Sequence, residues 1–193
     1  AVEVDLSARG PEVTHRASGI VLGVAAGQPI DALIGPLRPK LFRDLPALLI
    51  DNAPRMRRLG ATLQISLSGA FGYPDKGAYW PGDGGNWAPW DAIVKTQVER
   101  LRASGVTAQW DLWNEPDIPE FWKRSPERFL QTWQRTFQQI KALDPQAVIV
   151  GPSVTGNDLG FLAGFLLYAK THNVLPDILS WHAFGGQIGR AHV

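Results

Sequence analysis

The chain has 193 residues, a formal net charge of +1, a charged fraction of 19% and a hydrophobic fraction of 45%. This balance is ordinary for a globular domain and indicates no binding to nucleic acid. The absence of cysteine excludes a disulfide scaffold, a thiolate zinc site and a cysteine nucleophile. No run of about 20 apolar residues is present, so no membrane span is predicted.

Short β-type runs alternate with longer helical patterns, which favours βα units around a parallel sheet. The strands are predicted, in chain order, at residues 19–25, 39–43, 62–68, 108–113, 147–150 and 177–182. The second of these runs is the least well defined. The fifth is a short apolar run of the kind that is buried on both faces.

Three helices are predicted between these strands, and a fourth region is unfavourable. The first helix covers residues 91–104 and stops at Gly105. The second begins at the Ser125-Pro126 cap, and the third is capped by Asn157 or Asp158. Their buried stripes are Val94, Val98 and Leu101, then Phe129, Trp133, Phe137 and Ile140, then Leu162, Phe165, Leu166 and Ala169. Residues 44–59 are expected to lack a long helix because Pro46 and Pro54 interrupt them.

Several patterns do not favour a cofactor or a metal. The four histidines are scattered along the chain, and Gly82-Asp83-Gly84-Gly85 lacks the context of a phosphate loop. Three arginines, Arg55, Arg57 and Arg58, are predicted to form a solvated helix end.

The most informative motif follows the fourth predicted strand, where residues 110–117 read Trp-Asp-Leu-Trp-Asn-Glu-Pro-Asp. An apolar strand pattern runs directly into an Asn-Glu pair that is held by a proline, which presents a carboxyl group at the end of a strand. Asp111 lies deeper in the strand and is predicted to be a buried charge partner. Asp117 is predicted to be a turn residue.

This string, with Phe121-Trp122 after it, resembles the acid/base motif of retaining glycoside hydrolases, most closely family 39 and its relatives. The resemblance covers about residues 18 to 187. It implies an α/β fold, a (β/α)8 TIM barrel of which about the first six β/α units are present. Residues 1–187 would then be a partial catalytic domain. Residues 188–193 are interpreted as a translated sequencing adapter, with a natural tail as the alternative.

The resemblance also implies roles for individual residues. Glu115 would be the general acid/base of a retaining double displacement. Asn114 would reach the hydroxyl next to the anomeric carbon, and His182 would contact the catalytic carboxylates or the sugar. Arg43 resembles the second-strand arginine of this clan.

Tryptophan is abundant, with eight residues in the chain and six of them between positions 80 and 122. Trp113, Trp181 and Trp87 are expected to contact the substrate, because indole faces stack on sugar rings. For Trp113 and Trp181 a place in the core is the alternative. For Trp80, Trp87 and Trp90, which lie in or beside the long loop at residues 69–89, core packing is an equal alternative.

In the resembling families the nucleophile is a second Glu after the seventh strand, and no acidic residue after Glu115 fits that role. The fragment itself is therefore expected to be inactive and poorly stable, with two open sheet edges. The alternatives are a non-catalytic carbohydrate-binding barrel and a scaffold that never bound sugar. The expected partner is a carbohydrate and the expected location is extracellular or periplasmic, whereas the sugar, the linkage and the oligomeric state stay open.

Overall fold

The computed structural model describes residues 7, 14–15, 18–25, 27–74, 78–156 and 158–183. Two predictions lie outside these residues. They are the capping role of Asn157 and the interpretation of residues 188–193.

Six parallel strands form one curled sheet in the order β1-β2-β3-β4-β5-β6. Their bounds are Gly19–Val21, Leu41–Asp44, Thr62–Ser66, Gln109–Asp111, Val148–Thr155 and Ile178–His182. Each strand pairs with its sequence neighbour, so every connection crosses over to the next strand along the same sheet. This confirms the predicted α/β class and the six β/α units of a TIM barrel.

In the described part of the chain, five α-helices connect these strands. They are α1 at Asp31–Ile34, α2 at Pro46–Arg58, α3 at Ala88–Ala103, α4 at Pro126–Leu143 and α5 at Leu159–Thr171. Ser125 caps α4 by accepting a hydrogen bond from the backbone of Arg128, and Asp158 caps α5 through Phe161. The short helix α1 was not predicted.

The prediction that prolines would interrupt residues 44–59 is wrong, because α2 is one continuous helix of 13 residues. Pro46 lies in its first turn, where the fixed φ of proline suits a helix and no hydrogen bond is lost. Pro54 lies inside the helix but faces solvent. The apolar face of α2, with Leu49, Ala53 and Met56, is buried.

The fifth strand is twice as long as its apolar run predicts, because pairing with β6 continues through Gly151-Pro152 to Thr155. The register shifts between Pro152 and Val154, which marks a β-bulge. Gly151 is required where α4 crosses the strand, because a Cβ there would lie 2.4 Å from the Trp133 ring.

One arginine of the basic cluster is not solvated as predicted. Arg55 is buried and its guanidinium holds the loop after β1, donating to the carbonyl oxygens of Ala25, Gln28 and Pro29. Its Nε also donates to Asp31 at 2.5 Å. Arg57 and Arg58 are exposed, as predicted.

The hydrophobic core lies between the sheet and the helices, whereas the first and last strands carry exposed apolar side chains. Within the described residues, β1 and β6 each pair on one side only. Val21 and Leu22 are exposed beside β1, and Leu179 and Trp181 are exposed on β6. None of the described helices has the length and apolar character needed to cross a bilayer.

Candidate active site

The carboxyl group of Glu115 lies just beyond β4, at the edge where the carboxyl ends of the parallel strands meet. The residue is 7% exposed. Its Oε1 is 2.6 Å from Nδ1 of His182, the last residue of β6. Among the described residues no hydrogen bond reaches Oε2. One oxygen is thus held by His182, and the other has no hydrogen-bond partner in the described part of the chain.

Arg43, on β2, joins two residues of the β4 motif. Its Nη2 donates to Oδ1 of Asn114 at 2.9 Å. Its Nε donates to Oδ2 of Asp111 at 2.7 Å. Because the amide oxygen of Asn114 accepts from a guanidinium, the NH2 group of that amide is left as a donor for a ligand.

A second support for Asn114 comes from the turn after β3. Its backbone N–H donates to Oγ of Ser68 at 3.0 Å. That hydroxyl lies 2.5 Å from the phenol oxygen of Tyr73. Burial raises the pKa of Tyr73, so the phenol keeps its proton and stays a hydrogen-bond donor at neutral pH.

Asp111 is fully buried beneath this edge of the sheet, as the sequence predicts, and its charge partner is Arg43. Its Oδ1 accepts from Oγ of Ser153 at 2.9 Å, and that hydroxyl lies 2.7 Å from Oγ of Ser180. Burial raises the pKa of Asp111, and the Arg43 guanidinium opposes this effect. Sequence reasoning missed both serines, because no local pattern separates them from ordinary strand residues.

The backbone around Glu115 is held in an unusual conformation. Glu115 has φ of 49°, and its N–H donates to the carbonyl oxygen of Ser153 at 2.9 Å. Asp117, predicted as a turn residue, accepts hydrogen bonds from the backbone N–H and the hydroxyl of Thr155 at the end of β5. The loop after β4 is therefore fastened to β5 on both sides of Pro116.

Trp113 is packed into the protein rather than exposed to a ligand. It is 1% exposed, and its Nε1 donates to the carbonyl oxygen of Phe121 at 2.9 Å. Other aromatic side chains surround it at ring-centroid distances of 4.8 to 6.2 Å: Phe71, Tyr73, Trp80, Trp90 and Trp122. Trp80 and Trp90 are 0% exposed. For these tryptophans the structure favours core packing over sugar stacking.

The other two tryptophans expected at the substrate also lie elsewhere. Along β6, Ser180 and His182 face the inside of the curled sheet, so the alternation of side chains directs Trp181 to the outer face. Trp87 is half-buried before α3, with the guanidinium carbons of Arg128 and Arg135 at 5.6 and 5.3 Å from its ring centroid. Of the predicted site residues, the structure brings together Glu115, Asn114, His182 and Arg43.

The described residues contain no cluster of three or more histidine or acidic side chains able to hold a metal ion. The arrangement is instead one carboxyl group that is paired with a histidine, beside one amide that is oriented by an arginine. Such a site can transfer a proton and donate a hydrogen bond to the same ligand.

The six β/α units have the architecture of a part of a (β/α)8 barrel. No family model matches the sequence. Among solved structures, the chain is similar to N2152 from Neocallimastix frontalis, with 27% identity and a TM-score of 0.72. That match covers 88% of this chain and 44% of the fungal protein.

Two bacterial enzymes are similar at lower identity. A GH39 β-xylosidase from Caulobacter crescentus has 17% identity and a TM-score of 0.62, over 88% of this chain and 47% of that one. A glucosidase from Croceicoccus marinus has 19% identity and a TM-score of 0.62, over 84% and 43%. At these identities the likeness shows the fold alone. The chain has the TIM-barrel fold of these proteins and spans less than half the length of each of them.

Proposed function

We propose that the chain is the acid/base-bearing part of a retaining glycoside hydrolase that cleaves O-glycosidic bonds in a β-linked oligo- or polysaccharide. The observation that carries this proposal is the carboxyl group of Glu115, which is held by His182 at 2.6 Å beside Asn114. The resemblance of the Trp-Asn-Glu-Pro motif and the fold shared with glycosidases support it.

In the first step, Glu115 donates its proton to the glycosidic oxygen through Oε2, while a second carboxylate attacks the anomeric carbon and forms a glycosyl-enzyme. In the second step, the same carboxylate of Glu115 removes a proton from the water that hydrolyses this intermediate. The hydrogen bond to Oε1 fixes the plane of the carboxyl group through both steps.

Asn114 would act on the ring rather than on the leaving group. Its amide NH2 donates to the hydroxyl beside the anomeric carbon, a bond that strengthens as positive charge develops on the ring. Arg43 keeps the amide in this orientation and is itself neutralised by Asp111.

The second carboxylate is proposed to come from a later barrel strand, about 5 Å from Glu115 as in retaining enzymes. The other carboxyl groups at this edge of the described sheet are either buried or bound to a neighbouring residue. Asp44 and Asp111 are buried, and Asp117 binds Thr155.

The test is Glu115→Gln in the gene product that contains these residues, with Glu120→Gln as a matched control on an exposed residue of the same loop. A poor leaving group needs the proton, so turnover of alkyl β-glycosides should fall by about 10²- to 10⁴-fold. Aryl glycosides with acidic phenols should lose much less in the glycosylation step.

Equal losses on both classes of substrate would contradict the assignment of Glu115. Saccharide binding without any turnover by the wild-type gene product would instead favour a non-catalytic barrel.

A further inference from the structure

Ser153 lies at the β-bulge of β5, between the strands that carry Glu115 and His182. It is 1% exposed and has φ of 55°, in the left-handed region that a residue with a Cβ rarely adopts. The strand register passes from the Pro152–Ser180 pair to the Val154–Trp181 pair, so Ser153 is the extra residue of the bulge. A bulge re-aims a side chain, and here it directs the hydroxyl of Ser153 into the sheet interior.

The backbone and the side chain of Ser153 bind different strands. Its carbonyl oxygen accepts the N–H of Glu115 at 2.9 Å. Its Oγ lies 2.7 Å from Oγ of Ser180. Ser180 precedes His182 by two residues on β6, so both side chains lie on the same face of that strand.

These bonds form a closed ring of contacts. The ring runs from the backbone of Glu115 to Ser153, to Ser180, along β6 to His182, and back to the carboxyl group of Glu115 at 2.6 Å. We propose that Ser153 is a positioning residue that sets the geometry of the Glu115–His182 pair by fixing both strands beneath it. Its effect on catalysis rests on the proposed function, whereas its effect on the pair does not.

The hydrogen atoms in this network have defined directions. The Ser153 hydroxyl donates its one hydrogen to Oδ1 of Asp111, so it must accept from Ser180. The other oxygen of Asp111 accepts from Arg43, which orients Asn114. One hydroxyl therefore links the proton-donating pair to the residue that aligns the amide.

The first test reads the pair directly and needs no turnover. A proton lies between Nδ1 of His182 and Oε1 of Glu115 whichever group holds it, and a short hydrogen bond moves such a proton downfield of the amide region in the NMR spectrum. We expect Ser153→Ala to shift this signal upfield or broaden it. Ser104 follows α3, and its hydroxyl donates to the carbonyl oxygen of Leu101. Ser104→Ala is the matched control and should leave the signal in place.

The second test uses turnover by the gene product that contains these residues. A misplaced acid loses most where protonation matters, so Ser153→Ala should lower kcat on alkyl glycosides by between about 10- and 100-fold. The loss should be smaller on activated aryl glycosides, with KM little changed. A purely structural defect would lower kcat on all substrates by the same factor, since it only reduces the active fraction.

Ser180→Ala provides a second route if Ser153→Ala does not fold, because it removes the bond between the two serines and keeps the one to Asp111. The same shift of the proton signal in either variant supports the proposal. A signal unchanged from that of Ser104→Ala overturns it, even if the wild-type protein proves to be a glycosidase. Wild-type protein without turnover but with a Ser153-dependent signal would contradict the proposed function alone.

Discussion

The left-handed backbone of Glu115 shows how the site is held at the scale of single residues. Glu115 and Ser153 have φ values of 49° and 55°, and one hydrogen bond joins their backbones. Each such residue costs about 1–2 kcal/mol relative to its right-handed counterpart. Backbone strain of this kind concentrates where a side chain must point in one direction. Here it supports a functional role for the carboxyl group.

Asp44, the last residue of β2, is a buried carboxyl group that the proposed reaction does not use. It is 1% exposed, and its Oδ1 accepts the N–H of Leu45 at 2.7 Å. Its Oδ2 has no hydrogen-bond partner among the described residues. Burial raises the pKa of Asp44 above the usual aspartate range, against the smaller effects of the Leu45 N–H and Arg43.

This shift predicts a pH-dependent stability. Because the folded state binds the proton of Asp44 more tightly than the unfolded chain, its contribution is present below about pH 4, the pKa of an unfolded aspartate. It is lost as the pH rises through the folded pKa, by about 1.4 kcal/mol for each unit of the shift. We expect Asp44→Asn to remove this pH-dependent loss, so that the free energy of unfolding of the variant rises relative to that of the wild type as the pH rises. Urea unfolding at several pH values measures this difference. If the free energies of unfolding of the two proteins changed equally with pH, the raised pKa of Asp44 would be contradicted.

At the scale of whole elements, the long loop between β3 and α3 is fastened to the loop after β4. Arg124 binds both oxygens of Asp83, at 2.8 and 2.5 Å, and donates to the carbonyl oxygen of Ala78. Lys123 donates to the carbonyl oxygen of Pro74 at 3.2 Å. Trp80, between these anchor points, is fully buried. The described part of the long loop is thus held against the loop that follows Glu115.

Arg124→Met should weaken the attachment of residues 78–83 to the loop after β4. The pair with Asp83 is partly exposed, so the loss of stability should be modest, roughly 1 kcal/mol. Hydrogen exchange of the amides at residues 78–83 should nevertheless accelerate clearly, because three hydrogen bonds to this segment are removed. Arg102→Met, which breaks a bond to the carbonyl oxygen of Leu143 at the other end of the sheet, is the control. Equal exchange in the two variants would show that the aromatic packing alone holds the loop.

The order of the elements could be predicted from the sequence because most strands lie in short runs that are rich in apolar residues and end at turn residues. The extent of β5 could not, since Gly151-Pro152 has the composition of a break and the pairing partner that overrides it lies on β6. The continuity of α2 was missed for a similar reason. The buried apolar face stabilises the helix more than Pro54 disfavours it.

Only the site residues that lie within one short sequence motif could be predicted from the residues themselves. Asn114 and Glu115 are adjacent in sequence, whereas the places of Arg43 and His182 came from a resemblance. Ser153 and Ser180 are brought together by a bulge that no local pattern marks. The burial of Trp113 depends on rings from two loops, so composition alone could not separate a core tryptophan from an exposed one.

For the whole molecule, the exposed apolar side chains on β1 and β6 have a direct consequence. Val21 and Leu179 are 63% and 41% exposed on strands that, within the described part of the chain, have one open side each. Open strands with apolar side chains favour pairing with another chain. We therefore expect the 193-residue chain, taken by itself, to self-associate as its concentration rises.

Val21→Lys combined with Leu179→Lys should reduce this association, because a lysine on an open strand opposes edge pairing. Ala103→Lys, at the exposed end of α3, is a control for added charge. Sedimentation velocity over a range of concentrations measures the effect. A monomer at all concentrations in the wild type would contradict the expectation.

The packed rings around Trp113 also determine the near-ultraviolet circular dichroism and the fluorescence of this protein. With Trp80, Trp90 and Trp122 at centroid distances of 6.2, 5.3 and 4.8 Å from Trp113, excitation energy passes readily among the four indoles. Their coupled transitions should dominate the near-ultraviolet circular dichroism. Trp181, exposed on β6, should add a red-shifted emission of its own. The two signals from one sample would thus distinguish a loss of packing around Trp113, next to Asn114 and Glu115, from changes at the open edge of the sheet.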